Sequence, residues 1–146
     1  MKKNRSSKSV EILRLNNTIQ SAVKNFKPPE NLTLSEWADK YRRLSSESSA
    51  EAGPWRTSRT PYLKEPMDAF TDPKVKRIVM VAASQVGKSE FELNAIGYII
   101  DQDPGSVMYI QPTKEDAEKF SKLRIAPLIR DTKCLRRKVS DSKAKD

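Results

Sequence analysis

The amino-acid sequence predicts an α/β fold in which helices flank a parallel sheet. Two continuous apolar runs, "KRIVMVAAS" at 76–84 and "PGSVMYIQP" at 104–112, have the length and composition of strands buried on both faces. A helical pattern follows each run, and the order strand, helix, strand, helix is typical of the start of a parallel sheet. The first run also leads into "QVGKS", the ending of a phosphate-binding loop.

The first predicted element is an amphipathic helix over residues 10–26, within a basic N-terminal arm. Its apolar side chains recur at helical spacing: Ile12, Leu15, Ile19, Val23 and Phe26. "KPPE" then ends the helix, because proline cannot continue the hydrogen-bond ladder. The pattern allows two interpretations: the helix packs on its own domain, or it binds a partner.

A second, short helix is predicted from its start signal. Thr33 and Glu36 have the spacing of a capping box, and Leu32 and Trp37 occupy the two positions of a hydrophobic staple. The small polar residues of "SSESSAEAG" then predict an exposed loop.

Residues 54–73 mix prolines, aromatic residues and arginines before a short helix around 63–70. Trp55, Arg56, Arg59 and Tyr62 are of the types that stack on a base or bind a phosphate. Alternatively, the aromatic rings pack against the edge of the domain as part of a loop. Composition alone does not distinguish the two roles.

The stretch "VAASQVGKSE" at 81–90 nearly matches the phosphate-loop pattern G-x-x-x-x-G-K-[ST]. Ala82 stands where the pattern has its first glycine, and alanine is the smallest chiral replacement. The alternative is an ordinary strand–helix turn with an exposed lysine. The predicted nucleotide-binding residues are Ala82, Ala83, Ser84, Gln85, Val86, Gly87, Lys88 and Ser89.

The chemistry of such a loop assigns a role to each part. Backbone N–H groups and the helix dipole bind the phosphates, and Gly87 lets the backbone approach them. Lys88 reaches the β- and γ-phosphates, while the Ser89 hydroxyl is the predicted Mg²⁺ ligand. A nucleotide with Mg²⁺ is therefore the expected ligand of a P-loop NTPase, of which this chain would be the N-terminal part; the family resemblance described below implies that the nucleotide is ATP.

"GYIID" at 97–101 looks like an apolar strand that ends in a magnesium-binding aspartate. Asp101 follows Lys88 by only 13 residues, however, so we expect it at the C-terminal end of the loop helix. The second strand follows, and Thr113 then caps a helix that runs to about Pro127. Beyond 112 no apolar run ends in Asp-Glu, so the sheet is expected to be incomplete and ATP turnover by this stretch alone negligible.

Charge divides the chain into three regions. Residues 1–30 carry seven basic and two acidic side chains, residues 130–146 carry seven and three, and residues 31–129 carry 14 of each. We predict a basic arm over 1–30, a partial P-loop ATPase domain over 31–129 and a basic, disordered tail over 130–146. Such ends are either solvated segments or arms that bind nucleic acid.

Composition excludes several classes of protein. Cys134 is the single cysteine and there is no histidine, so neither an internal disulfide nor a zinc site is expected. The sequence has no apolar run of membrane-spanning length and no secretory signal pattern. We therefore expect a cytoplasmic protein.

Two blocks resemble the N-terminal ATPase portion of the large subunit of tailed-phage DNA-packaging terminases of the lambda-like type. They are "GPWRTSRTPYLKEPMDAFTDPKVKRIVMVAASQVGKSE" and "NAIGYIIDQDPGSVMYIQPTKEDAEKFSKLRIAPLIRDT", within a resemblance over roughly 31–140. It implies a truncated portion of an ATP-driven motor that moves double-stranded DNA into the procapsid, without the family's nuclease domain. The implied partners are double-stranded DNA, the portal and procapsid, and the small terminase subunit through residues 10–26.

The resemblance also implies roles for single residues. "QVGKS" matches the family's variant loop, and Gln111 and Thr113 match a segment that couples nucleotide to DNA. Trp55, Arg59 and Tyr62 fall where related motors approach the adenine. Many of these ATPases have an arginine in the loop where this chain has Ser84, so a catalytic arginine would come from elsewhere in the chain or from a neighbouring subunit.

Two other functions stay open at this stage. The basic ends and the helix over 10–26 would also suit a non-catalytic module that binds DNA or the small terminase subunit. A non-functional prophage remnant would have the same sequence pattern.

Overall fold

The computed structural model describes residues 14–20, 30–47, 49 and 51–139. The chain divides into two compact units, residues 1–30 and residues 31–146, and each is described by itself. In the part of the chain that is described, no helix has both the length and the apolar character needed to cross a membrane.

The N-terminal unit contains one described helix, α1, at residues 14–20. It lies inside the predicted helix, and the Thr18 hydroxyl donates to the carbonyl of Arg14 one turn earlier. Leu15 and Ile19 are each 57% exposed, so this apolar stripe is not buried within the described residues. The other three apolar positions of the predicted stripe lie outside the described residues.

The second unit begins with helix α2, Leu34–Tyr41, and its start agrees with the capping prediction. The Thr33 hydroxyl accepts from the N–H of Glu36, and the Glu36 carboxylate accepts from the N–H of Thr33 at 2.9 Å. Two of the four orphan N–H groups are satisfied in this way. The helix then buries Leu34, Trp37 and Ala38.

The only sheet among the described residues is small and antiparallel. Strand β1, Arg43–Leu44, pairs with β2, Gly53–Pro54, so the fold is helix-rich with a two-stranded sheet. The predicted parallel sheet is not seen here, because residues 75–83 and 104–111 have no regular secondary structure. Val81 is 95% exposed and Met108 is 85% exposed, whereas both were expected to be buried.

The physical reason is that a strand needs a neighbour. The apolar side chains of these two segments would be stabilised by burial in a sheet. That burial, and the hydrogen bonds of a sheet, must come from neighbouring strands. The described residues supply none to either segment. One side chain still ties the second segment to the helical layer, since the Tyr109 hydroxyl donates to Glu92 at 2.8 Å.

The remaining regular secondary structure described in the unit is helical. Two short 3₁₀ turns, Thr57–Arg59 and Pro61–Leu63, lead into the helical part. Thr113 caps one helix as predicted, with its hydroxyl accepting from the N–H of Asp116 at 3.1 Å. The helices are α3 (Lys64–Phe70), α4 (Lys88–Asp101), α5 (Lys114–Phe120), a π-helical turn (Ser121–Ile125), α6 (Ala126–Asp131) and α7 (Lys133–Arg136).

The core lies where α2, α3, α4, α6 and α7 meet. Trp37 of α2 is completely buried and its ring lies directly on Gly97 of α4. The core consists of Leu34, Trp37, Ala38, Trp55, Leu63, Met67, Leu93, Ala95, Leu128 and Leu135. It holds α4 rigidly, and the predicted phosphate loop leads into the first turn of that helix.

Asp101 is the last residue of α4, which confirms its expected place at the end of the loop helix. Its buried carboxylate accepts from the indole N–H of Trp37 at 2.9 Å and from Gln102 at 2.7 Å, and it pairs with Lys138 at 2.8 Å. The residue therefore has a structural role.

The predicted tail includes residues that pack on the domain. Helix α6 ends at Asp131, and α7 follows with Leu135 completely buried. Lys138 reaches back to Asp101. The stretch is folded up to residue 139, because the buried side chain of Leu135 anchors it although its neighbours are largely cationic. Residues 140–146 lie outside the described residues.

Candidate nucleotide-binding site

The predicted phosphate loop ends in two left-handed backbone positions. Gln85 has a φ of 59° and Gly87 a φ of 86°, and Gly87 is the N-cap residue of α4. Gly87 adopts this conformation without penalty, whereas a residue with a Cβ such as Gln85 does so at a cost. Left-handed residues in a turn help to direct backbone N–H groups to one side, as in anion-binding concavities.

Lys88 folds back over the start of this loop. Its ammonium group donates to the carbonyl oxygens of Ala82 and Ala83, at 2.8 and 2.5 Å. One side chain thus spans the loop from its last residues to its first. The arrangement brings the positive charge to the residue that replaces the pattern's first glycine, so Ala82 does not prevent the loop from closing on the lysine.

Ser89 is exposed in the first turn of α4, directly after Lys88. The first main-chain bond of the helix joins the N–H of Phe91 to the carbonyl of Gly87 at 3.0 Å, so the N–H groups before Phe91 have no acceptor within the helix. Unpaired N–H groups and the helix dipole favour an anion at this end. A lysine, an exposed hydroxyl and helix N-terminal amides are the groups that a phosphate-loop motif supplies.

The loop packs against the segment that was predicted to approach the adenine. A Cβ placed on Gly87 would lie 3.0 Å from Cδ1 of Leu63, so this glycine allows a close approach as well as a left-handed turn. Tyr62, the residue before Leu63, is 59% exposed. Its side chain is therefore accessible, next in sequence to a residue that contacts the loop.

The other two residues of that prediction are placed differently. Trp55 is buried in the core, and its indole N–H donates to the Thr57 hydroxyl at 3.0 Å. A buried ring cannot stack on a base, so Trp55 contributes to packing. Arg59 is exposed and paired with Glu51 on the surface.

Glu90, in the first turn of α4, was not predicted as a site residue. Its carboxylate pairs with Arg42 at 3.2 Å and with Arg124 at 3.7 Å. Burial lowers the pKa of Arg42, and the carboxylates of Glu90 and Asp131 oppose that effect. The sequence offers one signal for this residue, an acid in the first turn of a helix, but it does not identify partners 48 and 34 positions away.

The predicted coupling segment joins α4 to α5. The ring of Tyr109 stacks on Phe120 with centroids 4.5 Å apart, and burial together with the Glu92 carboxylate raises the pKa of its hydroxyl. Gln111 is half-buried two residues later, and Thr113 is engaged as the N-cap of α5. The two predicted coupling residues therefore lie in the short segment between Tyr109 and the start of α5.

Comparison with known proteins decides the family. The family described as "Phage terminase large subunit gpA, ATPase domain" matches residues 49–146. That match covers 98 of the 146 residues, more than half of the chain. The chain belongs to this family. The resemblance noted in the sequence is thereby confirmed.

Two curated relatives of this terminase family agree with the match. The chain is 30% identical to the terminase large subunit of Escherichia phage lambda over 121 residues, which are 83% of this chain and 19% of the relative. It is 30% identical to the terminase large subunit of Enterobacteria phage P21 over 103 residues, 70% of this chain and 16% of the relative. The chain thus spans less than a fifth of the length of these relatives. No solved structure matches it.

Proposed function

We propose that the chain is an ATP-binding portion of a phage DNA-packaging motor, in which residues 82–89 bind the phosphates. One observation carries the proposal. The Lys88 ammonium lies within the loop on two of its carbonyls, at a helix N-terminus preceded by two left-handed residues. In this proposal phosphate oxygens replace the carbonyls as partners of Lys88, and Ser89 ligates Mg²⁺.

Within this proposal, the two exposed apolar segments are strands of a parallel P-loop sheet. The exposure of Val79, Val81, Met108 and Ile110 supports it, because such a surface is stabilised by burial against neighbouring strands. Tyr62, which is exposed, is the remaining adenine candidate, and Gln111 and Thr113 are the coupling candidates. The expected setting is the bacterial cytoplasm, with double-stranded DNA, the portal and procapsid, and the small terminase subunit at residues 10–26 as partners.

The Mg²⁺ dependence of nucleotide binding tests the assignment of Ser89. The full chain is titrated with a fluorescent ATP analogue with and without Mg²⁺. Ser89→Ala should remove most of the gain that Mg²⁺ gives and leave metal-free binding intact, because only the metal ligand is lost. Ser106→Ala, an exposed serine near the start of the second apolar segment, is the matched control. An equal Mg²⁺ effect in wild type and Ser89→Ala contradicts the assignment.

A second candidate function, binding of DNA without nucleotide chemistry, has one observation in its favour. Lys133, Arg136 and Arg137 are exposed on and just after α7, and none has an ion-pair partner among the described residues. Anchored cations of this kind match the phosphates of a nucleic-acid backbone.

The salt dependence of DNA affinity tests this candidate. Replacing the three cations of α7 by alanine should lower the slope of log affinity against log salt by about 3, if each neutralises one phosphate. Replacing Lys114, Lys119 and Lys122 of the α5 region is the control for charge alone. Deletion of residues 1–30 separates this surface from the basic arm. An unchanged slope in the α7 variant excludes the surface.

A further inference from the structure

The first turn of α4 holds one carboxylate between two arginines. Glu90 Oε2 lies 3.2 Å from Nη2 of Arg42, and Glu90 Oε1 lies 3.7 Å from Nη1 of Arg124. These three side chains carry a net charge of +1, and Glu90 among them follows Lys88 by two residues in the first turn of α4. An excess positive charge beside free helix N–H groups attracts an anion.

The two arginines are held very differently. Arg42 is 3% exposed, and its guanidinium also donates to Asn94 at 3.2 Å and to the carbonyl of Arg43. A buried cation with every arm engaged stays in place, since separating it from Glu90 would leave a buried charge uncompensated. Arg42 therefore fixes Glu90 and neutralises it.

Arg124 is the more exposed of the two arginines. Its side chain is 40% exposed and its contact with Glu90 is the longer of the two. It lies on the π-helical turn Ser121–Ile125, and such turns are rare and frequently occur at functional sites. Because Arg42 already neutralises Glu90, transfer of Arg124 to a stronger anion leaves Glu90 paired.

We propose that Arg124 is a phosphate-binding residue of this site, which transfers from its contact with Glu90 to the phosphate chain of a bound nucleotide. The proposal rests on the proposed function, since it requires a nucleotide in the loop. It makes Glu90 a competitor of the nucleotide for Arg124, and it makes the π-helical turn part of the site.

Binding of a fluorescent ATP analogue to the full chain tests the proposal. Arg124→Ala should weaken binding by about tenfold or more, as expected for loss of a charge-assisted contact, while the melting temperature without nucleotide changes little. Arg124→Lys should recover part of the affinity because it keeps the charge. Lys122→Ala, on the same turn and paired with Glu118, is the matched control and should bind as the wild type does.

Glu90→Gln separates competition from a structural role. If Glu90 competes with phosphate, this variant binds the analogue more tightly than the wild type, in the opposite direction to Arg124→Ala. Because Glu90→Gln also removes the carboxylate that compensates buried Arg42, binding is compared at a temperature at which its melting curve shows it folded. A folded Glu90→Gln that binds no more tightly than the wild type overturns the proposal.

The failure of this proposal is distinguishable from that of the proposed function. Wild-type binding that Lys88→Ala abolishes and Arg124→Ala leaves unchanged overturns the role of Arg124 alone. A wild type that binds no analogue overturns both.

Discussion

The indole ring of Trp37 lies directly on the backbone of Gly97. A Cβ built on Gly97 would be 2.5 Å from Cη2 and 3.2 Å from Cζ3 of the ring, and 3.4 Å from Leu135. Only a residue without a side chain allows α2 and α4 to approach this closely. The contact fixes the helix that follows the phosphate loop against the core.

Gly97→Ala should therefore destabilise the protein, although alanine favours a helix over glycine by about 1 kcal/mol. The methyl group would overlap a ring that is completely buried, and overpacking of this kind costs about 1–3 kcal/mol or more. We expect a net loss of about 2 kcal/mol in the free energy of unfolding, measured by urea denaturation. Gly105→Ala is the control, since the nearest atom to its Cβ is 3.8 Å away. Equal stability of Gly97→Ala and wild type would refute the contact.

Asp101 should make the free energy of unfolding fall at low pH. Burial opposes its ionisation, but hydrogen bonds from Lys138, Trp37 and Gln102 outweigh burial and lower the pKa of the carboxyl. Because the folded pKa is the lower one, its contribution is complete above the unfolded pKa of about 3.9 and is lost as pH falls through the folded pKa.

Urea denaturation over a pH series measures this effect. Between about pH 6 and pH 3, the free energy of unfolding should fall less steeply in Asp101→Asn than in the wild type. The remaining slope belongs to other carboxyls with a lowered pKa, such as Asp68 and Asp131. Asp103→Asn, an exposed position, should keep the wild-type slope. Parallel curves for wild type and Asp101→Asn would contradict the assignment.

Cys134 should be a poor nucleophile in the folded protein. Burial and the negative charge of Asp101 raise the pKa of its thiol to about 11. Since the thiolate is the reactive form, labelling near pH 8 should be on the order of 100-fold slower than for a thiol of ordinary pKa. The rate of reaction with a chromogenic disulfide measures this, and the same protein in denaturant is the control. Labelling at one rate in both states would show that the thiol is not shielded.

The two left-handed residues of the loop should respond oppositely to substitution. Gly87→Ala places a Cβ 3.0 Å from Leu63 in a backbone conformation that costs about 1 kcal/mol or more, so nucleotide affinity and stability should both fall. Gln85→Gly relieves the same strain and should keep or increase the free energy of unfolding. Thermal melting and analogue binding measure both variants. If Gly87→Ala kept the wild-type stability and affinity while Gln85→Gly lost stability, this loop geometry would be wrong.

Local signals predicted the elements whose causes are local. The start of α2 follows from Thr33 and Glu36, three residues apart, and the end of α4 at Asp101 follows from counting residues after Lys88. The phosphate-loop motif likewise predicted a turn into a helix, and such a turn is present.

Features that depend on distant partners were not predictable in this way. Glu90 meets two arginines that lie far from it in sequence, and composition did not show that the Trp55 ring would be buried. The basic composition after residue 130 predicted a disordered tail, and it gave no sign that the side chain of Leu135 would be buried and anchor α7. Apolar strand patterns predicted burial of the segment around Val81, but burial needs a neighbouring strand that the described residues do not provide.

The most direct test of the account is the affinity of the full chain for ATP, measured by isothermal titration with Mg²⁺ present, in wild type and Lys88→Ala. Lys88 is the cation on the loop carbonyls, and Lys74→Ala, before the first apolar segment, is the matched control. The account predicts saturable binding by wild type and Lys74→Ala, and a loss of about 100-fold or more in Lys88→Ala, as for a charged contact in a phosphate site. Equal affinity of Lys88→Ala and wild type, or no binding by the wild type, would contradict it.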